Sequence, residues 1–137
     1  MKRVAPLIVA VLLLGACGGG NSNPDAAKVK QAWTSFFSTK TSVAAHVALL
    51  QDGERFRPVI ANLLGNPLAN GLKASVSSVT LQGPNKAKVV YTLTIPGFPL
   101  GKQTGYAYKQ NGKWLVGYAG LCKLVALGGS PPAACTS

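Results

Sequence analysis

Acidic residues are nearly missing from this sequence. In 137 residues there are three, Asp25, Asp52 and Glu54, beside a single histidine, His46, and three cysteines. So few acids and one His leave no recognisable acid, base and nucleophile set, because a general base needs a positioned partner and none can be identified. Two cysteines and one His at these separations do not make a zinc-type ligand set, so no metal and no cofactor is implied. Long apolar runs are also absent: Val4 to Leu14 covers eleven residues, whereas a spanning helix needs about 20.

What is present at the start reads as an address. Met1-Lys2-Arg3 is followed by that short apolar run and then by Leu14-Gly15-Ala16-Cys17. The order is that of a signal peptide, and the small residues before Cys17 resemble the lipobox of bacterial lipoproteins. The resemblance implies cleavage before Cys17, acylation of its sulfur and amine, and an extracytoplasmic protein held on the cell membrane or envelope. Residues 1–16 are then the signal peptide. Residues 17–23, Cys-Gly-Gly-Gly-Asn-Ser-Asn, form an acylated flexible tether.

Export leaves Cys122 and Cys135 in an oxidising compartment, where a disulfide is the expected state. It would staple a tail, residues 126–137, whose Gly128-Gly129-Ser130-Pro131-Pro132 run has little tendency to stay packed.

Residues 24–125 carry the periodic patterns of one α+β domain. Asn23-Pro24-Asp25 is a helix start. Val29, Ala32, Trp33, Phe36 and Phe37 then follow at i, i+3, i+4, i+7 and i+8, which is one apolar helix face. A second helix is expected from Ser42 to Gln51, ended by Asp52-Gly53. Phe56, Val59, Ile60, Leu63 and Leu64 predict a third, stopped by Gly65. From Lys73 the period drops to two. Strands are expected over Lys73 to Leu81, with a slip at Ser77-Ser78, over Ala87 to Ile95, over Lys102 to Gln110, and over Lys113 to Cys122. Asn111-Gly112 between the last two is a hairpin signal, since both residues tolerate positive φ. The expected fold is three N-terminal helices on a curved four-stranded antiparallel sheet.

Leu49-Leu50-Gln51-Asp52-Gly53-Glu54-Arg55-Phe56-Arg57-Pro58, with Ala74 to Leu81, Val89-Val90-Tyr91 and Gly112-Lys113-Trp114-Leu115-Val116, resembles the low-molecular-weight antigen family of mycobacteria and related actinobacteria. That resemblance implies a cystatin-like or NTF2-like fold and surface exposure. It carries no catalytic motif across, and a fold by itself is a poor guide to activity.

Three groups of residues are candidates for function. His46 lies on or beside an apolar helix face, where a packed structural role is the stronger reading. Asp52, Glu54, Arg55 and Arg57 form the best polar site, although Asp52 can cap the next helix and either Arg can pair locally with the acids. Trp33, Phe37, Phe56, Tyr91, Tyr106, Trp114 and Tyr118, with Tyr108 beside them, could line a cavity for an apolar small molecule, or simply fill the core. Charge is the last signal: 14 Lys and Arg less Lys2 and Arg3 leaves 12 against three acids, a formal +9. The lysines form no dense run in sequence. Such a field favours anionic envelope material as partner, while export and the absence of a binding motif disfavour nucleic acid. The reading is a non-enzymatic envelope lipoprotein acting as a binding or interaction module. An NTF2-like enzyme using His46 or the Asp52/Glu54 turn, and an accessory subunit of an envelope complex, are the alternatives.

Overall fold

Asn23, Pro24 and Asp25 begin a helix for the expected reasons. In the computed structural model, which describes residues 23–38 and 40–136, the Asn23 side chain accepts a hydrogen bond of 2.9 Å from the Asp25 amide. Pro24 occupies the first turn of α1, Pro24–Phe36, where its missing N–H costs nothing. Val29, Ala32, Trp33 and Phe36 are buried along one face. The Ser42 hydroxyl caps α2, Val43–Leu49, by accepting from the Ala45 amide at 3.2 Å. The expected signal peptide, residues 1–16, and residues 17–22 of the expected tether, Cys17 included, lie outside the described residues.

Asp52 departs from expectation. It adopts left-handed backbone geometry with φ 53° and its side chain caps nothing. A 3-10 turn over Gly53–Phe56 instead leads into α3, Arg57–Leu64, with Pro58 in its first turn. A second 3-10 turn, Pro67–Gly71, precedes the sheet.

The strands are β1, Lys73–Leu81, β2, Lys86–Ile95, β3, Phe98–Gln110, and β4, Lys113–Val116. They pair antiparallel in the order β1-β2-β3-β4. The β1 register shifts between Val76 and Ser78, so Ser77 is the extra residue of a bulge. Ala87, Val89, Tyr91 and Leu93 of β2 turn inward and are buried. Asn111 and Gly112 make the β3–β4 turn, both with positive φ. On the inner side α1 packs against β1 and β4, and α2 against α3 and β4.

The sequence expectation fails at the last strand. β4 ends at Val116, and Tyr118–Ala126 is a helix, α4. Trp114, Val116 and Tyr118 keep a period of two, but Tyr118, Leu121, Cys122 and Val125 also satisfy a helical period. Packing chooses the helix: the Gly117 amide turns to the Tyr106 carbonyl at 2.8 Å, and Leu121 becomes fully buried. A short α5, Ala133–Thr136, follows, and a Cys122–Cys135 disulfide joins it to α4. No helix among the described residues is long and apolar enough to cross a membrane.

Candidate functional site

The aromatic residues that could have lined a ligand cavity divide among four environments. Trp33, Phe37 and Tyr91 pack on one another in the core, with ring centroids 5.0 Å apart for Trp33–Tyr91 and 5.7 Å for Phe37–Tyr91. Burial pushes the Tyr91 phenol above its usual range. Phe56 is fully buried and stacks on half-buried Tyr118, and the Arg55 guanidinium lies 4.9 Å from both ring centroids. Trp114 is buried at the start of β4, whereas Tyr106 points to the opposite, outer side of the sheet and is 37 % exposed. A cavity of about 20 Å³ lies between Phe36, Phe37, His46, Ile60, Leu64 and Leu121. It has room for roughly one water. Of the seven aromatic candidates only Phe37 lines it.

His46 is 4 % exposed. Its Nδ1 lies 2.8 Å from the Ser42 carbonyl, which can only accept, so Nδ1 carries the proton in that bond. The ring meets Phe36 edge-on at 5.6 Å. The polar turn is elsewhere and faces solvent. Glu54 accepts two hydrogen bonds from Arg57, at 2.9 and 2.8 Å, and that pairing holds its carboxyl below the usual carboxylate range while raising Arg57. Asp52 is exposed and does not line the cavity that His46 borders. The structure therefore does not bring His46, Asp52 and Glu54 into one cavity. Among the described residues no group of three or more His, Cys, Asp or Glu could hold a metal ion.

The outer face of the sheet has a different character. With Ala87, Val89, Tyr91 and Leu93 inward, alternation sends Lys86, Lys88, Val90, Thr92 and Thr94 outward. Pairing places Tyr108 opposite Lys86, Tyr106 opposite Lys88, Lys102 opposite Thr92 and Lys73 opposite Thr94. Lys113 lies opposite Gln110 at the edge. Five lysines, Lys73, Lys86, Lys88, Lys102 and Lys113, thus share one surface with two tyrosines and a field of Ser and Thr hydroxyls. The Lys86 ammonium sits 4.6 Å from the Tyr106 ring and 6.0 Å from that of Tyr108, which fixes the charge over an aromatic platform.

None of the three carboxylates belongs to this face. Glu54 is paired with Arg57, and Asp25 at the start of α1 meets the Lys109 ammonium at 3.7 Å and accepts from Trp114 Nε1 at 3.2 Å. Asp52 is in the α2–α3 connection. The five lysines of the outer face therefore have no carboxylate on their own surface.

Residues 22–132 match the model of the low molecular weight antigen MTB12 C-terminal domain. The chain belongs to this family. No curated protein matches it. Family and disulfide together fit an extracytoplasmic protein, because a bridge such as Cys122–Cys135 persists in oxidising compartments. In this MTB12-type domain the segment Leu49 to Pro58 carries the resemblance in sequence, yet it forms a helix junction whose ionic pair is internal to one turn. The lysine face is not visible as a run in the sequence, for a physical reason. Its members come from four strands and are separated by up to 40 positions in sequence, so no local run marks them. The outward positions of β2, where Lys86 and Lys88 already alternate with buried residues, were the available signal.

Proposed function

We propose that the chain is an exported, lipid-anchored envelope protein without enzymatic activity, whose cystatin-like or NTF2-like domain binds anionic envelope material through the outer face of its sheet. The observation that carries this reading is the segregation of charge: five lysines on one strand surface, with every carboxylate outside it. A two-sided sheet with one face on the core normally presents a mixed polar face to water. Here that face is of one sign and would attract phospholipid headgroups or phosphate-bearing glycans.

Anchoring rests on Leu14-Gly15-Ala16-Cys17. Acylation of one residue by more than one chain would give stable attachment without a spanning helix. The interior favours this surface reading over an apolar small-molecule ligand: ligand pockets run to about 300 Å³ or more, the cavity beside His46 measures about 20 Å³, and the groove of about 420 Å³ between α1 and β1 is an open one lined in part by Lys30, Ser77, Ser78 and Thr80.

The test uses inorganic polyphosphate as a soluble anionic probe and compares two charge-matched variants. Changing Lys86, Lys88 and Lys102 to Gln should weaken binding by about tenfold or more, in a salt-sensitive manner. Changing Lys28, Lys30 and Lys40 to Gln removes the same charge from the helical side and should have a much smaller effect. Equal losses from the two variants would overturn the assignment to the sheet face.

A further inference from the structure

The chain enters the domain at one particular end of the sheet. Asn23 caps α1, and two residues later Asp25 is held by Trp114 Nε1 at 3.2 Å and by Lys109 Nζ at 3.7 Å. Lys109 and Trp114 are the paired residues beside the β3–β4 turn. The amide of Lys109 donates to the Asn85 carbonyl at 2.8 Å, which brings the start of β2 to the same end. Lys86, Lys88 and Lys113 therefore lie at the end of the outer face where the tether joins. Lys73 and Lys102 lie toward the other end, near the β2–β3 turn and Phe98, which is 72 % exposed.

The six residue steps from Cys17 to Asn23 can reach at most about 20 Å. Screening lengths at physiological ionic strength are about 8 Å, so charges at the joined end stay within a few screening lengths of the headgroups. β2 itself runs roughly 30 Å to the opposite end, which the tether leaves farther from its own anchor point. The lysines at the near end are not neutralised by Asp25, whose carboxylate is engaged with Lys109 and Trp114, nor by Glu54, engaged with Arg57. Tyr106 and Tyr108 flank Lys86, and tyrosine suits the boundary between headgroups and acyl chains.

We infer that the tether-proximal end of the outer sheet face, with Lys86, Lys88 and Lys113 around Tyr106 and Tyr108, docks on anionic phospholipid headgroups of the membrane that holds Cys17. This deepens the binding function and rests on the lipid-anchor reading. The tether keeps that end close, and the lysines turn closeness into a fixed orientation.

The experiment expresses the full chain in a bacterial host that processes lipoproteins and reconstitutes the product into vesicles of phosphatidylglycerol with phosphatidylcholine, or of phosphatidylcholine alone. A membrane-impermeant amine reagent then labels exposed lysines, and mass spectrometry reads each site. On the anionic vesicles labelling of Lys86, Lys88 and Lys113 should fall by about fivefold or more, with Lys40 and Lys123 unchanged, and high salt should restore it. Equal labelling on both vesicles would overturn the inference, even with polyphosphate binding retained, so the broader binding function would survive alone. Protection of Lys73 and Lys102 alone, abolished by Phe98→Ser, would place the opposite end on the bilayer and also overturn it. Protection that tracks protein density on both vesicles would assign the face to a second copy instead. If the protein fails to float with either vesicle, the lipid anchor is wrong and the inference falls with it.

Discussion

Asp25 and Trp114, 89 residues apart, share a hydrogen bond of 3.2 Å from the indole Nε1 to the carboxylate. Asp25 also serves the positive end of α1, so one carboxylate stabilises a helix start and ties it to the beginning of β4. Asp25→Ala leaves the buried indole donor unpaired. Stability should fall by about 1–3 kcal/mol, read as a lower urea midpoint with an unchanged slope.

Gly105 of β3 lies against Trp33, and a Cβ there would sit 2.7 Å from Cζ2 of the indole. Trp33 is fully buried and also packs on Tyr91, so it has no room to retreat. Gly105→Ala should destabilise by about 1–3 kcal/mol through overpacking. Combined with Trp33→Phe it should cost less than the sum of the two single changes, and a double-mutant cycle measures that coupling.

The Cys122–Cys135 bridge joins residues 13 apart and holds α5 and the Gly-Pro tail to α4. Cys122→Ala with Cys135→Ala should lower stability by about 3 kcal/mol in the chain-entropy description. Thermal unfolding checks the loss. The parent should yield two titratable thiols from this pair only after reduction.

Tyr91 is buried, and burial raises its pKa above the free-phenol value of 10.0. A raised pKa means that the unfolded chain releases this proton first. The stabilisation is complete below about pH 10 and disappears as pH climbs from there through the folded-state value. Tyr91→Phe should flatten the alkaline limb of a melting-temperature profile. The acidic limb should not change.

The helical face beginning at Val29, the inward set Ala87 to Leu93, the Asn111-Gly112 turn and the Ser77 bulge were all legible in the sequence. Each is set by neighbours within a few positions, through capping chemistry, side-chain period or a requirement for positive φ. Asp52 suits a cap by residue type, but its backbone is left-handed there and its side chain makes no capping hydrogen bond to the next turn. The candidate pocket failed to assemble in another way. Aromatic identity alone cannot say on which side of a sheet a ring lies, and Tyr106 faces outward while Trp33 and Tyr91 fill the interior.

Sequence by itself determined the local vocabulary of this protein: where α1 starts, which β2 residues go inward, and where Asn111-Gly112 turns the last hairpin. Tertiary structure decided what distant residues do together. Tyr118 to Ala126 satisfies both a strand and a helix period, and the burial of Leu121 settles it as α4. Lysines scattered from Lys73 to Lys113 become one surface because hydrogen-bonded strands set their outward positions side by side. Periodicity is a property of neighbours along the chain, whereas a charged face is a property of neighbours across a ladder.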